Sequence, residues 1–218
     1  MPFRDDQQYI AHEVRRSRIE RAAGSLGAGV YAGGSAVAVF VGDGYAGVTN
    51  NHVKFQFFVE SHNQTQRGLV LQGNSYTAAS TFRNLTFKIQ SDDTMQVQWR
   101  NSGGTNNNIN TAVVPVGVWL SVEFYIDGNN YELKVDWDAN QSGVSDYSPV
   151  YAGGDWRILD DGTALSTGVK ITKVRWFAGG NKALACNCDE GAGNTSINYG
   201  IIGNGSIVGG NIHGVYNG

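Results

Sequence analysis

Apolar and polar residues alternate along much of the chain between about residues 53 and 137, and short turn sequences interrupt the alternation. The longest example is LSVEFYIDGNNYELKVDW at 120–137, in which two alternating runs flank the turn Asp127-Gly128-Asn129-Asn130. Successive side chains of a strand point to opposite faces, so this pattern predicts a hairpin with one apolar face. A slip of one residue would expose that entire face, and we therefore expect a fixed register.

The same alternation predicts further strands on both sides of the hairpin. The residues expected to point inward are Val53, Phe55, Phe57, Val59, Leu85, Phe87, Ile89, Met95, Val97 and Trp99. A short buried strand is also expected at 67–73 (RGLVLQG), and VKITKVRWF at 169–177 is expected to be the last strand. Turn residues separate these segments at Gly73-Asn74, Asp92-Asp93 and Gly103-Gly104. Many short strands joined by such turns predict an all-β, antiparallel sandwich.

Composition fits one folded domain with a neutral, turn-rich surface. The 218 residues include 30 glycines and 3 prolines, and 16% are charged, below the ~25% of typical globular domains. With a net charge of −3 the chain has no surplus of cations for phosphates, so nucleic acid is not an expected partner. No run of about 18 apolar residues is present, so membrane insertion is not expected. MPFRDDQQY lacks the apolar segment of a secretory signal, so we expect synthesis in a cytoplasm.

The N-terminal part of the chain departs from the alternation. Residues 5–23 combine helix formers with acids at the start and arginines at the end, which predicts a short helix. Its cluster of Arg15, Arg16 and Arg18 is either a docking face for an acidic partner or a solvated surface. Glycine and alanine dominate 24–47, which also contains the strand-like run AVAVFV. We therefore expect an arm at 1–47, a sandwich at 48–185 and a tip at 186–218.

The C-terminal tip repeats an isoleucine about every five residues. The repeated positions are Ile197, Ile202, Ile207 and Ile212, with glycine and asparagine between them. A chain this rich in glycine cannot build a core alone, whereas three copies wound together could bury the isoleucines along an axis. The alternatives are therefore a homotrimer docked through this tip and a Gly/Asn tail without a fold of its own.

Four segments carry a family resemblance. They are FQFFVES, RGLVLQGN, LTFKIQSDDTMQVQW and VPVGVWLSVEFYIDGNNYELKVDWD. Their order resembles the concanavalin A-like lectin/glucanase jelly roll, specifically laminin-G-like domains, in which a similar strand and turn carries the residues found here as Trp119, Val122, Phe124 and Asp127-Gly128. The resemblance covers about residues 48–180 and implies two stacked antiparallel sheets, one concave, with a carbohydrate or protein ligand in the concavity or at its rim loops.

Catalytic residues of enzymes with this fold are incomplete in the sequence. Glucanases of this resemblance carry three acids on one strand, whereas this chain offers Glu123 and Asp127 with no acid between them. Lyases of the same fold need a Tyr/His pair with a nearby cation, and the candidates His52, His62, Tyr125 and Arg100 are far apart in the sequence. The sequence therefore favours a protein that is not an enzyme.

Two groups of side chains offer candidate metal ligands. Asp136, Asp138, Asn140 and Ser142 alternate after the hairpin and supply hard oxygens, so they form either a calcium loop or a polar turn. The EF-hand type of calcium loop is excluded because Gln141 and Tyr147 stand where glycine and glutamate are required. The pair Cys186 and Cys188 would need further ligands to hold a metal, and two thiols or a local disulfide are the alternatives. Apart from calcium, no cofactor is expected.

Tryptophans are the candidates for stacking on sugar rings. Trp99, Trp119 and Trp137 lie on or beside apolar strand faces, so we expect them in the core. Trp156 follows two glycines and stands between Asp155 and Arg157, so this trio is the predicted carbohydrate-binding site in an exposed loop, with core burial of Trp156 as the alternative.

Together these features predict a non-enzymatic virion structural protein. The glycine-rich tip resembles the ends of viral and bacteriophage fibre proteins, and the sandwich resembles a lectin. The expected role is a phage tail fibre or receptor-binding protein that is homotrimeric, located on the virion, and bound to other virion proteins and to a host surface glycan. The alternatives are a capsid decoration (cement) protein and a polysaccharide-degrading enzyme.

Overall fold

The structure is a computed structural model of the chain. It describes residues 48–73, 83–149, 155–159 and 168–186, together with the backbone of short strands at 31–32, 37–40, 195–196 and 205–208; of residues 73, 83 and 155 it also describes the backbone alone. The predicted helix at 5–23, its arginines Arg15, Arg16 and Arg18, and the isoleucines Ile202 and Ile212 lie outside the described residues.

Strands account for most of the described chain. They are β1 (Tyr31–Ala32), β2 (Val37–Phe40), β3 (Asn51–Val59), β4 (Arg67–Gly73), β5 (Arg83–Ile89), β6 (Thr94–Arg100), β7 (Asn106–Val113), β8 (Trp119–Ile126), β9 (Asn130–Val135), β10 (Gln141–Val144), β11 (Asp155–Ile158), β12 (Val169–Ala178), β13 (Asn181–Cys186), β14 (Thr195–Ser196) and β15 (Gly205–Val208). The described ranges contain no helix, and so none that is long and apolar enough to cross a membrane.

The strands form two antiparallel sheets. The first sheet has the order β1-β12-β3-β8-β9-β10, and β13 also pairs with β12. The second sheet has the order β14-β15-β2-β11-β4-β5-β6-β7. Each sheet turns one apolar face toward the other, and the predicted all-β, antiparallel sandwich is confirmed.

The central hairpin has the predicted register. Strand β8 pairs with β9 so that Phe124 lies opposite Leu133 and Ile126 lies opposite Tyr131. In the turn between them, the Oδ1 atom of Asp127 accepts hydrogen bonds from the backbone N–H groups of Asn129 and Asn130, both at 2.7 Å. Because the aspartate satisfies two turn amides, the sequence DGNN fixes where the hairpin reverses.

Aromatic side chains join the two sheets in the core. The Phe87 ring of β5 meets the rings of Phe55, Phe124 and Trp176 edge-on, with centroid distances of 5.4, 5.6 and 6.3 Å. Edge-to-face packing of this kind adds to the free energy gained by burying the rings. The residues predicted to point inward are all buried: Val53, Phe55, Phe57, Val59, Leu85, Phe87, Ile89, Met95, Val97 and Trp99.

Strands from both ends of the chain extend the sheets. The prediction that 169–177 forms the last strand is wrong, since β13 follows β12 and pairs with it, and β15 pairs with β2. The strand-like run AVAVFV does form a strand, and Ala38 lies opposite Ile207 there. Strands β13 and β15 were not predicted, because short strands rich in glycine and alanine carry little alternation. The division at residues 47 and 185 stays a prediction.

Candidate binding site

One side of the first sheet faces away from the core and is mostly polar. Val53, Phe55 and Phe57 of β3 are buried, so the residues between them lie on the opposite side, which we call the outer face. Four cross-strand pairs form rows across it, namely His52 with Tyr125, Lys54 with Glu123, Gln56 with Ser121, and Phe58 with Trp119. The outer face therefore passes from charged rows to an aromatic row.

A groove crosses the charged rows of the outer face. It is open to solvent and encloses about 570 Å³. Its charged lining residues are Lys54, Lys134, Lys173, Arg175, Glu123 and Asp136. Gln56, Ser121 and Asn140 add neutral polar groups. Such a lining offers both donors and acceptors to a polar ligand.

An ion-pair network occupies the floor of the groove. The Glu123 Oε1 atom lies 2.9 Å from Lys54 Nζ and 2.8 Å from His52 Nε2. The hydrogen bond from Lys54, followed by the contact with His52, outweighs partial desolvation and lowers the pKa of Glu123. Glu123 is therefore ionised at neutral pH, and its two partners hold it in place.

Tyr125 lies beside this network but is engaged elsewhere. Its hydroxyl donates a 2.9 Å hydrogen bond to the Oδ2 atom of Asp127. That hydrogen bond raises the pKa of the Tyr125 phenol, because losing the proton would place a second negative charge beside the carboxylate. Tyr125 is therefore a hydrogen-bond donor at neutral pH.

A β-bulge in β12 places two of the groove's cations. Thr172 lies opposite Gln56 and Arg175 lies opposite Lys54, so β12 has one residue more than β3 over this stretch. The extra residue reverses the inward-outward phase of the strand. Lys173 sits within the bulge in the left-handed conformation, with a φ of 53°. The bulge thereby brings Arg175 to the outer face and exposes Lys173.

The Arg175 guanidinium is held by two backbone carbonyl groups, one in its own strand and one in β13. Its Nη1 atom donates to the carbonyl oxygen of Cys186 at 2.8 Å and to that of Val174 at 2.9 Å. Two acceptors restrict the rotation of the group about its long side chain. Arg175 is therefore ordered at the groove before any ligand binds.

An aromatic platform adjoins the groove. Trp119 is 39% exposed and packs on Phe58, with ring centroids 5.7 Å apart. The Lys170 ammonium lies 5.2 Å from the centre of the Phe58 ring. Trp119 is two residues from Ser121 in β8, a spacing of about 7 Å along a strand.

The prediction that Trp119 is a core residue is wrong. Its strand phase, shared with Ser121, could have identified it as outward-facing.

The predicted carbohydrate site at Trp156 is not exposed. Trp156 has no accessible surface and lies in β11, between β2 and β4 of the second sheet. Its ring meets Trp176 edge-on, at a centroid distance of 6.2 Å. The prediction of an exposed loop is wrong, because the strand turns Trp156 into the core and buries Arg157 as well, leaving it 4% exposed. The side chain of Asp155 lies outside the described residues. A buried indole cannot stack on a sugar.

The carboxylates of the predicted calcium loop bind backbone amides. Asp136 Oδ2 accepts from the N–H of Ser121 at 2.7 Å, which ties the end of β9 to β8. Asp138 uses both oxygens, accepting from Ala112 at 2.6 Å and from Ala139 at 2.8 Å. The described residues contain no cluster of three His, Cys, Asp or Glu side chains suited to a metal. Of the other two predicted ligands, Asn140 lines the groove and Ser142 lies in β10. Calcium binding by these four residues stays a prediction.

The candidate lyase residues are only partly brought together. His52 and Tyr125 face each other across β3 and β8, with ring centroids 6.4 Å apart. The Nε2 atom of His62 instead lies 2.7 Å from the carbonyl oxygen of Val114, and Arg100 belongs to β6 of the other sheet. The cation beside His52 and Tyr125 is Lys54, which sequence reasoning missed because only strand pairing brings it there.

Similarity to known proteins is found at the level of structure. No protein-family description matches the chain, and no curated protein matches it. A Bacteroides ovatus protein described as a candidate carbohydrate-binding protein superposes with a TM-score of 0.56 and 14% identity, covering 84% of this chain and 59% of that one. A point mutant of HCR/D superposes with a TM-score of 0.51 and 12% identity, covering 73% of this chain and 40% of that one.

The two superpositions show a shared fold. The chain spans 59% and 40% of the lengths of these proteins. At identities of 14% and 12% the likeness extends to the β-sandwich and not to individual residues of a site. Any function must therefore be argued from the groove and the platform themselves.

Proposed function

We propose that the sandwich is a non-enzymatic glycan-binding domain of the laminin-G-like type. In this proposal it is displayed on a virion, as a bacteriophage tail fibre or receptor-binding protein that contacts a host surface glycan. The observation that carries the proposal is the exposed Trp119 beside a polar groove on the outer face.

The chemistry of a sugar matches this arrangement. A pyranose ring has an apolar C–H face and a rim of hydroxyl groups. The exposed Trp119 ring offers a flat apolar surface for the C–H face, and the Phe58 ring, tilted by 53° to it, packs against it. Gln56 and Ser121 in the adjoining row can exchange hydrogen bonds with hydroxyl groups. The fold shared with the Bacteroides ovatus protein supports the same class of ligand.

The protonation states at the groove support binding without turnover. A glycosidase needs a carboxylic acid whose pKa is raised, so that it can protonate the leaving group. The pKa of Glu123 is instead lowered. A lyase that uses tyrosine as a base needs an accessible phenolate, whereas the pKa of Tyr125 is raised.

A polysaccharide lyase is the second candidate. The observation that favours it is the facing pair His52 and Tyr125, with Lys54 next to them. Uronate elimination would create a product with a C=C bond conjugated to the carboxylate, and this product would absorb far-ultraviolet light. Incubation with uronic polysaccharides should produce no such absorbance if the protein only binds.

The direct test is a glycan array probed with wild-type protein and two variants. We expect a restricted set of bound glycans and no release of reducing ends. Trp119→Ala should weaken binding about tenfold, the equivalent of one aromatic stacking contact. Val144→Ala is the control, because Val144 is an exposed apolar residue on β10 at the far edge of the first sheet. Absence of binding to every glycan, or hydrolysis of a bound one, would refute the proposal.

The virion part of the proposal has its own test. It is supported by the isoleucine repeat and by the predicted docking helix at the other end of the chain. Light scattering should give the mass of a trimer, near three times 23.4 kDa. A monomeric mass would contradict the trimeric tip. Electron microscopy of virions labelled with a gold-conjugated antibody against this protein would distinguish a tail location from a capsid location.

A further inference from the structure

We infer that the groove selects glycans that carry negative charge, and that Lys173 and Arg175 recognise a carboxylate or sulfate group on the sugar. The inference rests on the proposed glycan-binding function and narrows its ligand class. It follows from three observations on the described residues: the charge balance of the groove, the bulge in β12 and the fixed guanidinium of Arg175.

The groove is positive although the chain is negative. Four cations and two carboxylates line it, in a protein whose net charge is −3. Lys54 is compensated by Glu123, and Lys134 lies 3.0 Å from Glu132 at the rim. The other lining carboxylate, Asp136, follows β9 and accepts a hydrogen bond from the N–H of Ser121, so the excess of positive charge lies on the β12 side, where Lys173 and Arg175 stand. A local excess of one sign attracts ligands of the opposite sign.

Lys173 is held in an unfavourable backbone conformation. Left-handed backbone is costly for a residue with a long side chain, and such outliers concentrate at functional sites. The Lys173 side chain makes no hydrogen bond or ion pair with another described residue, and it is exposed. Its ammonium group is therefore available to a ligand without the loss of an existing contact.

Arg175 supplies a directional donor next to that charge. The two carbonyl oxygens that bind its Nη1 atom set the plane of the guanidinium. A planar group with several N–H donors matches the two oxygens of a carboxylate or sulfate better than an ammonium does. Restricting it beforehand reduces the entropy lost when the ligand binds.

The two cations depend on the same structural device. If β12 were regular, Lys173 and Arg175 would share the inward-facing phase of Ile171. The bulge therefore provides a charged site four strand positions, about 13 Å along the sheet, from the row that carries the platform. An acidic oligosaccharide can place the apolar face of one ring on Trp119 and the charged group of another ring at this site.

The experiment compares one oligosaccharide in charged and neutral forms. A uronic-acid oligosaccharide and its carboxyl-reduced counterpart share linkages and length, and a sulfated neutral oligosaccharide distinguishes sulfate from carboxylate. By calorimetry we expect the wild type to bind the charged form at least about tenfold more tightly at low salt, a difference that shrinks above about 0.5 M salt.

Substitutions at Lys173 and Arg175 test whether these two residues recognise the charged group of the sugar. Lys173→Gln and Arg175→Gln should each weaken binding of the charged form about threefold to tenfold and leave the neutral form unchanged. Arg175→Lys should recover only part of the affinity, because the fork geometry is lost. Lys182→Gln is the matched control, since Lys182 is an exposed lysine of β13 that does not line the groove. Thermal unfolding of each variant identifies any that fails to fold, and Lys173→Gln tests the inference independently of the Arg175 contacts.

Each outcome separates the inference from the proposed function. If the charged and neutral forms bind equally and both need Trp119, the inference is wrong while glycan binding stands. If Lys182→Gln weakens binding as much as Lys173→Gln, the loss of affinity reflects the lower net positive charge of the protein and not a contact at the groove. The inference is then also wrong. If neither form binds, and no glycan on the array binds, the proposed function itself fails.

Discussion

Ile171 and Val174 both point into the core although they lie three residues apart in the same strand. In a regular strand, residues three apart face opposite sides of the sheet. The bulge at Lys173 absorbs the extra residue, so the strand keeps its apolar face on both sides of the irregularity. Packing of Ile171 and Val174 thus maintains the strained backbone between them.

The strain at Lys173 predicts an unusual response to glycine. Glycine adopts a positive φ without steric cost, so Lys173→Gly should leave the free energy of unfolding unchanged or raise it by up to about 1 kcal/mol. Lys182→Gly, at a β13 position where φ is not positive, should lower it by about 1 kcal/mol. Urea denaturation of the two variants measures the difference. A similar loss in both would mean that Lys173 is not strained.

A buried ion pair links the start of β4 to the turn before β6. Arg67, 1% exposed, donates a 2.7 Å hydrogen bond from Nη2 to Asp93 Oδ1, and its Nη1 donates to the carbonyl oxygen of Ser61 at 3.0 Å. Burial lowers the pKa of Arg67, and the charge and hydrogen bond of Asp93 oppose that shift. Asp93 thus offsets the cost of removing the guanidinium from water.

Removing this charge should be strongly destabilising. Asp93→Asn keeps the shape of the side chain and tolerates the φ of 62° at this position, yet leaves Arg67 without its counter-ion. We expect the free energy of unfolding to fall by about 3 kcal/mol, measured by urea denaturation. Asp92→Asn, in the same turn but on an exposed side chain, should cost much less. Equal effects would show that turn geometry matters rather than the buried pair.

The sandwich could be predicted from the sequence because alternation is a local signal. Each of Val53, Phe55 and Phe57 reports its own orientation, and the DGNN turn fixes the pairing of the hairpin. The bulge is also visible in the sequence, because the apolar residues Ile171 and Val174 of one strand are three positions apart instead of two or four. Strand phase gives orientation without any knowledge of the partners.

The candidate site could not be predicted in the same way. His52 and Glu123 are 71 positions apart and meet only because β3 pairs with β8. Trp156 shows the opposite difficulty, since two glycines before it suggested a loop while pairing with β2 and β4 made it a core residue. Which strands are neighbours is a property of the whole sheet, and the short edge strands that complete it carry weak local signals.

The two tryptophans should differ in what their removal costs. Trp156→Ala creates a cavity in the core and should lower the free energy of unfolding by about 3–5 kcal/mol. Trp119→Ala removes one exposed aromatic contact and should lower it by about 1 kcal/mol. Denaturation followed by circular dichroism measures both. A larger loss for Trp119→Ala would mean that the aromatic platform is structural and would weaken its assignment to sugar binding.

The Glu123 network predicts how stability changes with acid. The folded-state pKa of Glu123 lies below its ordinary value of 4.5, chiefly through the hydrogen bond from Lys54. A carboxylate with a lowered pKa stabilises the fold above its ordinary pKa, and that contribution is lost as the pH falls through the folded value. The free energy of unfolding of the wild type should therefore exceed that of Glu123→Gln at neutral pH, and the gap should close below about pH 4.5. Glu132→Gln is the control, because Glu132 is an exposed acid one strand away. A gap that stays constant down to pH 3 would show that the ionised Glu123 does not stabilise the groove, and that its side chain matters only by its shape.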